Sequence, residues 1–429
     1  MKCKARLTTS GDRVVSSRDP DHNHTGNGSI ALARKAVGEM KNKITDSTVA
    51  PSSSQAAVMS QLPDDTLMAL PRRATVSKAL RRHRKKVTDA ANRDTPLPAI
   101  PKDLLFDIPE SFADIVVFDS GPGDNRLILI SCHELLDGLA RASMWLADGT
   151  FKVVPSVFFQ LYTIHFPFGN GVCPAAIYCL LSDKSAATYE RLHREVKNLI
   201  PTAAPSSILV DFEKAAMNTF SAAYTTATLR GCYFHLCQSV MRKVSEIGLK
   251  AEYENNEDAR TFIRCLPALA FVPPQDVPEA FDLLVDSMPQ GIDHMDELVT
   301  YFEHTYIRGR RLRGRGNNYR EASFAIELWN QHAAGLDGIA RTTNCVEGWH
   351  YGLQSLFQCH HPTMWNFLAG IKKDLQQQKA RLMQGVAGVE HPRKKKYRNL
   401  NDRVQRTVSA YGQSEVLLYL RAIAHLSHV

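Results

Sequence analysis

Long hydrophobic runs are missing from this chain of 429 residues. No stretch approaches the roughly 20 apolar residues that a membrane helix needs, so no membrane span is expected. The opening stretch MKCKARLTTSGDRVV has no apolar signal core, which points away from secretion. A disulfide frame is missing too. The nine cysteines are odd in number and irregularly spaced, as expected for reduced thiols in the cytosol or nucleus. No internal repeat is evident. What remains is a globular chain with 44% apolar residues, enough for a real core and long enough for two or three domains.

Acidic charge is scarce at one end. Residues 1–100 hold 18 Lys+Arg and 9 Asp+Glu, a net +9, so the rest of the chain sums to −1 against the total of +8. A basic arm of this kind suits a nucleic-acid partner as well as it suits a solvated tail. Residues 1–24 read as strand, Ser-Gly-Asp turn and strand, followed by a His-rich piece. Residues 25–110 are rich in Ser, Ala and Pro, and read as a basic linker with one or two short helices, one of them at about 75–87.

From residue 111 the pattern changes. ADIVVFDS and RLILIS read as short strands. Ser131 and Glu134 then fit a capping box that opens a helix. Three longer strands follow, MWLADGTFKVV, SVFFQLYTIHF and VCPAAIYCLLS, and then a helix at about 187–200. SSILVDF and TLRGCYFH are two further strands, each followed by a helix. Strands alternating with helices imply a partly parallel sheet covered on both faces. Residues 252–335 lose strand character and carry helical spacing. Residues 372–429 read as a C-terminal basic helical region.

Asp148, in MWLADGTF, is a carboxylate inside an apolar strand, which is costly unless it is paired or binds metal. Asp211 ends the apolar strand SSILVDF. Ligand sites in parallel α/β sheets lie at the carboxyl ends of strands, so neighbouring strands would bring the two acids together. Two hard oxygen ligands at close range suit Mg²⁺ or Mn²⁺, and a third acid would complete a two-metal phosphodiester site. The residues leave other readings open. Asp211 also fits an N-cap. Glu347 also fits a capping box with Asn344, and spacing alone does not choose it over Glu321 or Glu327.

LADGTF, CLLSDKSAATYERLHREVK, ILVDFEKAA, GCYFHLCQSV, RTTNCVEGWHYGLQ and HPTMWNFLAGIKKD resemble, in the same order, the catalytic domain of Mutator-like (MULE) transposases across residues 144–371. The resemblance implies an α/β fold: a ribonuclease H-like mixed sheet flanked by helices over residues 111–371. An all-helical insertion, about 252–335, would precede the third acid. It implies that Asp148, Asp211 and Glu347 form a DDE triad holding two Mg²⁺ or Mn²⁺ ions. DNA would be cut and joined at transposon ends, by a homo-oligomer on DNA in the nucleus. A domesticated, catalytically inactive DNA-binding regulator is the alternative. Cys232 and His235 match the family's Cys-x-x-His and are expected in a structural or DNA-facing role; zinc binding with Cys237 is a lesser option. His350 shares a helix face with Glu347 and is expected to assist at the phosphate or to orient the acid.

Residues 1–24 resemble the C-terminal half of an FLYWCH zinc finger, in which Cys3, His22 and His24 match three ligands of a possible Zn²⁺ site. A structural zinc site takes four. RRHRKK (81–86), RGRRLRGRG (308–316) and PRKKKYR (392–398) are candidate DNA-backbone contacts or nuclear localisation signals.

Overall fold

The computed structural model describes residues 6–10, 13–18, 27–45, 51–91, 97–169, 172–311, 319–389 and 395–426. The chain divides into two compact units, Met1–Leu97 and Pro98–Val429.

The first unit opens with the antiparallel pair β1 (Arg6–Ser10) and β2 (Arg13–Arg18). These are the two strands expected around Ser-Gly-Asp. Cys3, His22 and His24 lie outside the described residues. Four helices follow: α1 (Gly28–Lys43), α2 (Pro51–Met59), α3 (Asp64–Ala69) and α4 (Arg73–Ala91). Asn27 caps α1, its side chain accepting from the Ile30 N–H at 3.0 Å. Ala36, Met40, Ile44, Val58, Val76 and Leu80 form one small core. Polar ties reinforce it. Ser54 Oγ donates to the Met40 carbonyl at 2.7 Å, and Gln55 Nε2 donates to Ser77 Oγ at 2.9 Å. Much of the stretch expected as a linker is therefore packed helix. Helices α1, α2 and α4 supply only one to three apolar side chains each to the core and α3 supplies none, a pattern too sparse to stand out among Ser, Ala and Pro.

The second unit is built on a seven-stranded sheet. Its strands are β3 (Val116–Asp119), β4 (Leu127–Ile130), β5 (Met144–Thr150), β6 (Gln160–His165), β7 (Ala175–Leu181), β8 (Ser207–Val210) and β9 (Thr228–Gly231). Their spatial order is β3-β4-β7-β6-β5-β8-β9. The first five in that order pair antiparallel; β8 joins β5, and β9 joins β8, in parallel. Helices α5 (His133–Arg141), α6 (Ala186–Leu199), α7 (Lys214–Ala223) and α8 (Tyr233–Glu246) connect and flank the strands. The central strands β6 and β7 are buried at every position, as a sheet covered on both faces requires. Three antiparallel strands, then two parallel strands reached through helices, make this a ribonuclease H-like α/β fold. The capping box expected at α5 is not formed. Cys132 occupies the cap without a side-chain bond, and Ser131 Oγ instead donates to the Ala176 carbonyl at 2.6 Å.

A helical layer follows the sheet: α9 (Lys250–Asn255), α10 (Glu257–Ala268), α11 (Val277–Asp286), α12 (Met295–Phe302), α13 (Ile326–Trp329) and α14 (His332–Leu336). Phe262, Leu266, Phe281, Leu298, Phe302 and Trp329 lie in its core. The chain then returns to the sheet with α15 (Asn344–Phe357) and α16 (Met364–Val386). Last come α17 (Lys395–Ser409) and α18 (Val416–Leu426). These two pack into the same helical core through Val404, Val408, Leu420 and Ile423, and Tyr419 Oη donates to the Phe271 carbonyl at 2.6 Å. The basic C-terminal region is thus partly an integral piece of the insertion layer. No helix among the described residues is long and apolar enough to cross a membrane.

Candidate metal centre

Strand register alone brings two acids together. In the parallel pair of β5 and β8, Leu146 stands opposite Leu209. Asp148 lies two residues beyond Leu146 and Asp211 two beyond Leu209, so both emerge at the carboxyl edge on neighbouring strands. A Cβ at Gly149 would meet the amide end of the Gln160 side chain crossing from β6, so a larger residue there would displace that amide from Tyr189 Oη.

Packing brings the third acid. Val346 on α15 sits in an apolar cluster with Leu146, Leu209 and Cys232, so the helix lies against the ends of β5 and β8. Its N-terminus is clamped by the β9–α8 turn. The Thr343 N–H donates to Cys232 Sγ at 3.2 Å, Thr343 Oγ1 lies 3.2 Å from the same sulfur, and the Tyr233 N–H donates to the Arg341 carbonyl at 3.0 Å. Cys345 Sγ lies 2.9 Å from Cys173 Sγ in the loop between β6 and β7. Thr343, not Asn344, occupies the cap, and it makes no side-chain cap bond. Glu347 is therefore no capping-box residue. Its Oε1 lies 3.4 Å from Nε2 of His235, on the first turn of α8.

Ligand atoms of Asp148, Glu347 and His350 all lie within 4.8 Å of one another, close enough to hold one metal ion. His350 Nδ1 is 3.8 Å from Asp148 Oδ2. Asp211 stands outside that trio but close enough for its charge to act on Asp148. Its Oδ1 is buried without a hydrogen-bond partner, as is Nε2 of His350. Asp211 does not cap α7, whose cap position is Glu213. Glu321 lies in the loop before α13 and Glu327 on α13; neither belongs to the trio. Cys232, His235 and Cys237 do not form a zinc group. Cys232 bonds to Thr343, and Cys237 packs into the apolar core of the helical layer.

The electrostatics follow from this crowding. Burial pushes the Asp148 carboxyl up to about 7, against the pull of His235 and with the help of Asp211 and Glu347. Burial also raises Asp211. Glu347 is held low, first by its hydrogen bond from His235. Burial pulls His235 down, but its interactions with Cys232, Glu347 and Asp148 outweigh that and lift it to about 11, so it is a cation at neutral pH. Burial pushes His350 down to about 4, so its imidazole is neutral and able to ligate. Hard carboxylate oxygens, a neutral imidazole and unpartnered buried acceptors suit a divalent cation.

Three residues outside the expected set shape the site. Thr343 clamps α15. Glu213 lies near enough to Asp211 that the latter's charge helps raise it, although burial is the larger cause; its Oε1 is buried and unpartnered. Asp-Phe-Glu spacing at the strand end was the available signal for it. Asp374, on α16, accepts from Trp349 Nε1 at 2.8 Å and thereby anchors α15 from behind.

A ribonuclease H-like domain with a carboxylate–histidine centre at the carboxyl edge of its parallel strands is the class that fold and site define. Residues 144–239 match the family model of the MULE transposase domain. The matched span holds Asp148, Asp211, Cys232 and His235, and ends before Glu347 and His350. No curated protein sequence matches the chain.

Proposed function

We propose that this chain is a transposase-derived, DNA-binding protein that cleaves DNA strands at transposon ends and joins them to target DNA. The convergence of Asp148, Glu347 and His350, with Asp211 alongside in register, is the observation that carries this reading. Asp148, Asp211 and Glu347 would hold Mg²⁺ or Mn²⁺, with His350 as a nitrogen ligand or a positioning group. Bound there, divalent ions supply charge stabilisation at the phosphate and make water a better nucleophile.

The chain's own groups do the rest. The His235 imidazolium offsets carboxylate repulsion and keeps Glu347 ionised. Neutral His350 offers Nδ1, 3.8 Å from Asp148 Oδ2, as the ligand nitrogen or positioning group beside the carboxylates. Hydrolysis of the scissile phosphodiester leaves a 3′-hydroxyl, which then attacks a target phosphodiester and displaces its 3′ oxygen. Basic stretches outside the centre supply the phosphate contacts, and we place the protein in the nucleus as a homo-oligomer on DNA. Cys3, His22 and His24 would bind Zn²⁺ weakly, for want of a fourth ligand.

The test is nicking of supercoiled plasmid by the full chain with Mg²⁺ or Mn²⁺. Wild type should nick, and Asp148→Asn and Glu347→Gln should fall to background. A melting series provides an independent readout. The ions should raise the wild-type Tm, by about 2.7 kcal/mol of stability at a hundredfold excess over Kd, and leave Asp148→Asn nearly unmoved. Equal nicking by all three proteins would sink the assignment. A wild type that binds DNA and neither nicks nor responds to the ions would be the inactive regulator.

A further inference from the structure

The packed helices of residues 27–91 carry a surface that the metal centre does not use. Helix α4 has 19 residues, about 28 Å at 1.5 Å per residue, with seven Lys or Arg and one acid, Asp89. Its inward stripe is Val76 and Leu80, both in the small core. Arg84 continues that stripe, and its Nε donates to the Ile44 carbonyl at 3.3 Å, just beyond the end of α1. That arginine is a strut.

Lys78, Arg81, Arg82 and Lys86 are all exposed. Their spacing of three, four and eight residues from Lys78 places them on one face, away from the core stripe. Among the described residues, none of the four meets a carboxylate. Apart from Asp89, which by spacing falls at the C-terminal end of the same face, the face is thus a row of like charges on a helix whose other side is fixed by packing. Such a row repels itself and gains by meeting a polyanion.

We propose that α4 is the DNA-docking helix of this unit, lying in the major groove of duplex DNA with Lys78, Arg81, Arg82 and Lys86 on the flanking phosphates. The B-form major groove, about 12 Å wide, admits one α-helix. The reading under Proposed function supplies only the choice of ligand; docking needs neither the metal centre nor cleavage.

The experiment is fluorescence anisotropy of the full chain on a duplex of about 30 base pairs, titrated across salt. Lys78→Gln, Arg81→Gln, Arg82→Gln and Lys86→Gln combined should flatten the log–log salt slope by about 0.9 per lost phosphate contact, hence by about 3.6. The comparison variant removes the same charge from α1: Arg34→Gln, Lys35→Gln, Lys41→Gln and Lys43→Gln. It should change the slope by less than about 1. Circular dichroism checks that both variants are folded. If the α4 quadruple unfolds, Arg81→Gln with Arg82→Gln should still flatten the slope by about 1.8. Equal losses in the two quadruples, or an unchanged slope in the first, would overturn the proposal. So would binding of the matching RNA duplex as tightly as DNA, because the A-form major groove is too deep and narrow for side chains to read. Nicking is read on the same full chain, so a wild type that shows the α4-dependent slope without cleaving, or cleaves without it, separates a failure of cleavage from a failure of docking.

Discussion

Asp148 and Asp374 are almost equally buried, at 4% and 6% exposure, yet their surroundings are opposite. Asp374 accepts from Tyr178 Oη at 2.6 Å, Trp349 Nε1 at 2.8 Å and Gln378 Nε2 at 3.0 Å, so both its oxygens are engaged. Asp148 accepts from the Gly149 N–H at 2.8 Å and otherwise faces titratable groups, two of them acids that push its pKa up. A buried carboxylate with a full set of donors is a structural element, here joining β7, α15 and α16. A buried carboxylate crowded by other carboxylates is held in place by the rest of the fold and gains nothing from its own contacts. Trp349 links the two, because it sits on α15 between Glu347 and His350 and hangs from Asp374. The satisfied carboxylate thus sets the position of the unsatisfied centre.

Breaking the satisfied side should have the largest effect. Asp374→Ala orphans three buried donors, each worth about 1–3 kcal/mol, so stability in denaturant unfolding should fall by about 3–5 kcal/mol. A loss under about 1 kcal/mol would mean that the network does not hold α15.

On the other side the sign reverses. The folded pKa of Asp148, about 7, lies above its ordinary value of 3.8. Folding is therefore favoured by the proton: that contribution is full below about pH 4 and is lost as pH rises through about 7. In metal-free protein, Asp148→Asn should raise stability at pH 8 by something on the order of 1–3 kcal/mol, and hardly at all at pH 4. Thermal melts in chelator at the two pH values measure this. Destabilisation at pH 8 would show that Asp148 is structural like Asp374.

His193 sharpens the contrast at smaller scale. It is buried against Phe220, with ring centroids 4.1 Å apart, and neither ring nitrogen has a hydrogen-bond partner. Burial lowers its pKa to about 3. Its neutral form is the folded one, so its contribution is present above pH 6.5 and lost as pH falls toward about 3. His193→Phe should therefore gain about 1–2 kcal/mol more at pH 5 than at pH 8. A gain independent of pH would mean that only packing had changed.

Much of the frame was legible. The apolar runs around Leu127–Ile130, Ala175–Leu181 and Ser207–Val210 are strands because continuous burial demands continuous apolarity. The two capping boxes read from spacing were not formed. At Ser131 a sheet carbonyl competed for the hydroxyl, and at Glu347 a histidine from another helix competed for the carboxylate. Such rivals are distant in sequence and invisible to local pattern. Among residues 27–91 the helix read at about 75–87 is α4; α1, α2 and α3 were hidden for the opposite reason, since their core is too small to imprint a strong periodicity.

By itself the sequence determined the alternation of strands and helices, the presence of one acid inside an apolar strand and another at the end of a second, and the concentration of positive charge before residue 100. These are local properties, set by side-chain period and composition. Residue spacing left Glu347 level with Glu321 and Glu327, and only the family resemblance chose among them; the tertiary structure decided that Asp148 and Asp211 share a parallel register and that α15 returns to place Glu347 and His350 beside Asp148. The physical reason is that Cys232 and Thr343, 111 residues apart, meet only when the helical layer has folded between them. No window of sequence contains both halves of that contact.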